Sequence, residues 1–100
     1  MSSRFVFSGI QDELLEKEAN QRLSRLMDGA PYDATSAALL ERVESGFCAT
    51  IEIYSTHGPF AARAAAPSAR EAIEKVLTKI GGRIENWRLR RFMAPDMGVA

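Results

Sequence analysis

The sequence predicts an α+β domain, β-α-β-β-β-α, in which a four-stranded mixed sheet carries two helices packed on one face. Three observations predict it. Two stretches place apolar residues at helical spacing, one after Ser8 and one after Ser68. Between them, Phe47–Tyr54 alternates apolar and polar residues, and Phe60–Ala66 alternates small ones. A strand–helix–strand opening followed by a meander then sets both helices on one side of the sheet, given the usual crossover hand.

Arg4-Phe5-Val6-Phe7 is rich in β-formers and reads as the first strand, stopped by Ser8-Gly9. Ser8 and Gln11 fit a capping box, and Asp12 and Glu13 sit where a helix dipole favours negative charge. Leu14, Leu15, Ala19, Leu23, Leu26 and Met27 form the stripe of a first helix, ended by Asp28-Gly29-Ala30-Pro31. Residues 31–36 are a polar connection. The segment from Ala37 to Ser45 reads as a strand, although Leu39-Leu40 and the flanking alanines also suit a helix. Gly46 makes a turn into the strand in which Phe47, Ala49, Ile51 and Ile53 share one face.

Thr56-His57-Gly58-Pro59 is a hairpin connection, and Phe60, Ala62, Ala64 and Ala66 form one face of the last strand. Side chains this small imply a closely approaching helix. Ser68 and Glu71 form a second capping box. Ala69, Ala72, Ile73, Val76, Leu77, Ile80, Ile84 and Trp87 then share one face of a long second helix, which is expected to stop before Pro95. Gly81-Gly82 within it marks a kink or a close approach to the backbone. The expected division is a single domain over residues 1–94 with a frayed tail over 95–100.

A chain of 100 residues with 46% hydrophobic and 26% charged residues has the composition of one folded domain. Its single cysteine, Cys48, cannot form an internal disulfide, and the first residues do not resemble a signal peptide. A cytoplasmic protein without membrane contact is expected. Catalysis lacks a foundation: His57 is expected in an exposed turn with no nucleophile or carboxylate beside it, and Cys48 has no neighbouring cation in sequence. One histidine and one cysteine do not make a zinc site, and the glycines form no phosphate loop. The reading is therefore a binding protein, not an enzyme, with no cofactor, metal or small-molecule substrate.

Net charge is zero, but its distribution is uneven. Residues 1–46 carry five Lys/Arg against eight Asp/Glu, whereas residues 70–91 carry seven against three. On the second helix Lys75, Lys79, Arg83, Asn86 and Arg90 recur every three or four residues, beside the apolar stripe. Lys17, Gln21 and Arg25 repeat every fourth residue on the first helix. With the helices side by side, their outer flanks would form one broad cationic surface suited to a phosphate backbone. The ordinary alternative is a solvated helix face.

The strand FCATIEIYS, turn THGPF, small-residue strand AARAAAPS and helix AREAIEKVLTKIGGRIENWRLRR resemble the hibernation-promoting factor family, also called the sigma-54 modulation or ribosomal subunit interface family. The front half, FVFSGI and DELLEKEANQRLSRL, fits the same pattern. The resemblance implies a short-form protein that binds the small ribosomal subunit at its rRNA and inhibits translation under stress. By that analogy the RNA-binding positions are Lys17, Arg25, Lys75, Lys79, Arg83 and Arg90. Where family helices are strongly basic, this first helix carries Asp12, Glu13, Glu16 and Glu18.

A double-stranded-RNA-binding domain shares the α-β-β-β-α order, but its lysine cluster at the start of the second helix is replaced here by Ala69-Arg70-Glu71-Ala72. The alternative from another class is a protein-interaction module. Cys48, Thr50, Tyr54, Ala61 and Ala65 would line an open sheet face, giving a homodimer with no nucleic-acid role.

Overall fold

A computed structural model describes residues 4–99, with side chains to residue 90. The elements follow as β1 (Phe5–Ser8), α1 (Glu13–Asp28), β2 (Thr35–Val43), β3 (Gly46–Tyr54), β4 (Phe60–Ala66) and α2 (Ala69–Val99). The sheet order is β1-β2-β3-β4; β1 pairs parallel with β2, and the other pairs are antiparallel. This is the mixed sheet the sequence predicts. The segment that also suited a helix is a strand because it lies between two partners, with Leu40 opposite both Phe7 and Ala49.

Alternation decides which face is buried. Phe5, Ala38, Leu40, Ala49, Ile51, Ile53, Ala62, Ala64 and Ala66 point to one side and form one core with both helices. From α1 come Leu15, Ala19 and Leu23, and from α2 come Ala72, Ile73, Val76, Leu77, Ile80 and Ile84. No polar or charged residue is buried among the described residues. Helix α1 packs on β1, and α2 lies over β3 and β4, where the alanines of β4 admit it closely.

Three local expectations are corrected. First, α1 is capped by Asp12, not by Ser8: the Asp12 carboxylate accepts from the Leu15 amide at 3.1 Å. Ser8 is held extended opposite Glu41 and belongs to β1. Second, Leu14 leaves the apolar stripe and is 83% exposed. Successive helical residues point about 100° apart, so Leu15 takes the core and turns Leu14 to solvent. Third, α2 continues past Pro95. The side chains beyond residue 90, and all of residue 100 at the end of the expected tail, lie outside the described residues.

At the start of α2, Ser68 Oγ accepts from the Glu71 amide at 3.2 Å, as the capping pattern predicts. Its hydroxyl also donates to the Glu71 carboxylate at 3.2 Å. Gly81 marks a close approach between helices, since a Cβ there would stand 3.4 Å from Leu26 Cδ1, whereas Gly82 faces open space. Gly46 is fixed by geometry: φ is +153° and a Cβ would lie 2.3 Å from the Ala66 carbonyl oxygen.

Candidate nucleic-acid interface

Because α1 sits by β1 and α2 sits over β4, the outer flanks of the helices lie at opposite edges of the sheet. Four strands at about 4.8 Å spacing separate the edges by about 14 Å. The expected single cationic surface therefore divides into groups.

The largest group is on α2. Lys79 Nζ donates to the Arg63 carbonyl of β4 at 3.0 Å, which places its flank along the β4 edge. Lys75 and Arg83 stand one turn to either side of it on that flank. Arg83, Asn86 and Arg90 line a groove against Pro59 and Phe60, with Trp87 as part of its wall. Lys75, Lys79, Arg83 and Arg90 are thus aligned along one flank of α2. The ion pairs found among the described residues are Arg70–Glu18 and Arg88–Glu85, and neither uses these four cations.

Lys17 stands apart. It shares a shallow depression with Arg4, Glu13, Glu16 and Asn20 beside β1, so carboxylates offset its charge. Asn20 also accepts from the Phe5 amide at 2.6 Å, covering the edge of β1 as Lys79 covers that of β4.

Arg25 belongs to a third group, in the furrow between the helices, with Arg22, Leu26, Leu77 and Thr78. Arg88 reaches toward the same furrow, its Nη1 atom 3.6 Å from the Cβ position of Gly29 at the C-terminal end of α1. A guanidinium there complements the negative pole of that helix. Arg22 and Arg88 escape the sequence reading because they lie 66 positions apart on different elements. Arg22 had one signal, its position three residues before Arg25.

The outer face of the sheet differs from expectation at Cys48, which is 3% exposed. Arg63, reaching diagonally across from β4, places Nε 3.0 Å from Sγ and covers the thiol. That hydrogen bond holds the guanidinium above its ordinary pKa. Thr50, Tyr54, Ala61 and Ala65 remain on that face, together with Val6. Tyr54 donates to the Glu52 carboxylate at 2.6 Å, and this bond raises the pKa of the phenol.

His57 is exposed in the β3–β4 turn, as expected, but it has an aromatic neighbour: its ring meets that of Trp87 at 5.3 Å. No cluster of three or more His, Cys, Asp or Glu suited to a metal occurs among the described residues. Within the same limits, no helix is long and apolar enough to cross a membrane.

Fold and surface together define a small α+β domain whose largest group of cations lies along one flank of its longer helix. No protein-family model matches the chain, and no curated protein matches it. Solved structures do. The chain is similar to the N-terminal domain of Thermus thermophilus Protein Y, with a TM-score of 0.72 and 11% identity over 87% of this chain and 99% of that one. It is likewise similar to a ribosomal subunit interface protein from Coxiella burnetii, with a TM-score of 0.73 and 10% identity over 89% and 99% of the two chains. At such identity the likeness establishes the fold. These structures are of the family that the residue pattern resembles, so backbone and sequence pattern point the same way.

Proposed function

We propose that this chain is a ribosome-associated RNA-binding factor that docks on small-subunit rRNA through its helix-borne cations and inhibits translation, as in hibernation or stress. One observation carries the site: Lys75, Lys79, Arg83 and Arg90 share the β4 flank of α2 and take part in neither ion pair among the described residues. The likeness to a ribosomal subunit interface protein supports the choice of partner. Arg25, with Arg22 beside it, extends the contact over the furrow between the helices. Lys17 adds the least, since Glu13 and Glu16 surround it. The cytoplasm is the compartment this role requires.

The test is co-sedimentation with purified small subunits. Lys75→Glu with Arg83→Glu is the informative double variant, because it leaves the Lys79–Arg63 bond in place. Saturable wild-type binding that the variant loses, with inhibition of translation in vitro lost in parallel, is the expected result. No wild-type binding at low salt overturns the proposal.

A second reading has its own observation. Val6 and Tyr54 are 60% and 50% exposed on the open sheet face, beside small residues. A homodimer through that face would form without nucleic acid and would resist salt, since apolar contact is not screened.

A further inference from the structure

Among the described residues the core ends at Ile84, yet the chain places its single tryptophan one turn further on, half-buried among cations. Trp87 meets His57 at 5.3 Å and Phe60 at 6.2 Å, with interplanar angles of 68° and 76°. Beside this aromatic cluster runs a groove of about 240 Å³ between the start of β4 and α2. Arg83, Asn86 and Arg90 line the helix side, and Pro59 and Phe60 line the strand side.

Resting on the RNA-binding reading above, we propose that this groove takes one unstacked nucleobase of single-stranded RNA, against the Trp87–Phe60 wall. The chemistry of the lining fits such a guest. Aromatic faces stack on any base, and the Asn86 amide offers both a donor and an acceptor to a base edge. Arg83 and Arg90 stand about 10.5 Å apart along the helix, at 1.5 Å per residue. Their guanidinium groups can hold the phosphates on either side of the inserted nucleotide. A base inside an A-form duplex is already stacked and paired and does not enter the groove, so the site selects single strands.

Trp87 reports on its own site. Its fluorescence is titrated with an adenine-rich single-stranded RNA nonamer and with a duplex of the same length, while anisotropy of labelled RNA gives affinity independently. Quenching by the single strand with the midpoint seen by anisotropy is expected. Trp87→Leu is expected to weaken single-strand binding by roughly 5-fold to 150-fold and to leave duplex binding unchanged, while Trp87→Phe keeps most of the affinity. Asn86→Ala, at an exposed position, is expected to weaken the single strand as well, and it serves if Trp87→Leu does not fold. Wild-type binding without quenching, and with Asn86→Ala and Trp87→Leu both at wild-type affinity, removes the base site but leaves the RNA reading standing. Absence of any RNA or ribosome binding by the wild type removes both.

Discussion

Gly46→Ala is the sharpest structural perturbation available in the sheet. The residue starts β3 opposite Val43, its φ is +153°, and the Ala66 carbonyl oxygen would stand 2.3 Å from an added Cβ. The obstacle is backbone, and the adjacent Ala66 carbon and Pro67 Cα would each lie 3.1 Å away, so no side-chain rotation relieves the overlap. Backbone strain at a conformation reserved for glycine costs about 1–3 kcal/mol. Forcing a methyl into a filled position adds about 1–3 kcal/mol. Together these give about 2–6 kcal/mol, against a total stability of about 5–15 kcal/mol for a domain. For a chain of this size, that lowers Tm by at least about 8 °C. Guanidinium unfolding followed by Trp87 fluorescence and far-UV circular dichroism measures it. A change within about 0.5 kcal/mol, the range of an ordinary surface substitution, would refute the reasoning about the β3–β4 corner.

Gly82→Ala should do the opposite: the position is helical and faces open space, so alanine stabilises by about 1 kcal/mol, read in the same unfolding experiment. Asn20→Ala leaves the Phe5 amide without its acceptor and should cost about 1–3 kcal/mol, with faster hydrogen exchange confined to β1. Asp33 carries a pH dependence. The Thr56 hydroxyl and amide hold its carboxyl below the usual 3.8, so the stability it adds is present above pH 3.8 and is lost as pH falls through the lower folded value. The advantage of the wild type over Asp33→Ala should therefore be full at neutral pH and shrink in acid below pH 3.8, as measured by urea titrations across that window.

Much of the fold is legible in the sequence because its strongest signals are local and periodic. The alternation of Phe47–Tyr54 and the stripe from Ala72 to Ile84 each record one buried face, and both faces are buried as read. The start of α1 is not legible by the same means. Ser8 and Asp12 both suit a cap, and only the pairing of Ser8 with Glu41 removes the first from the helix. Nor is the burial of Cys48, because its cover, Arg63, lies 15 residues away on the next strand. The α2 cations were readable from spacing alone, since the helix itself aligns them. Their separation from Lys17, the furrow that holds Arg22 and Arg25, and the aromatic wall beside Arg83 and Arg90 all depend on which strand each helix covers. Spacing within one element carries no such information.

The most direct test of ribosomal docking through the α2 flank is the salt dependence of binding to purified small subunits. The four phosphate contacts of the α2 flank, by Lys75, Lys79, Arg83 and Arg90, contribute about −2.8 to −3.6 to the slope of log K against log salt, which contacts by Arg25 and Arg22 steepen further. The Lys75→Glu, Arg83→Glu variant should bind more weakly and show a slope shallower by about 1.4–1.8. Binding of both proteins with one flat slope would contradict the account, and so would the absence of saturable binding at low salt.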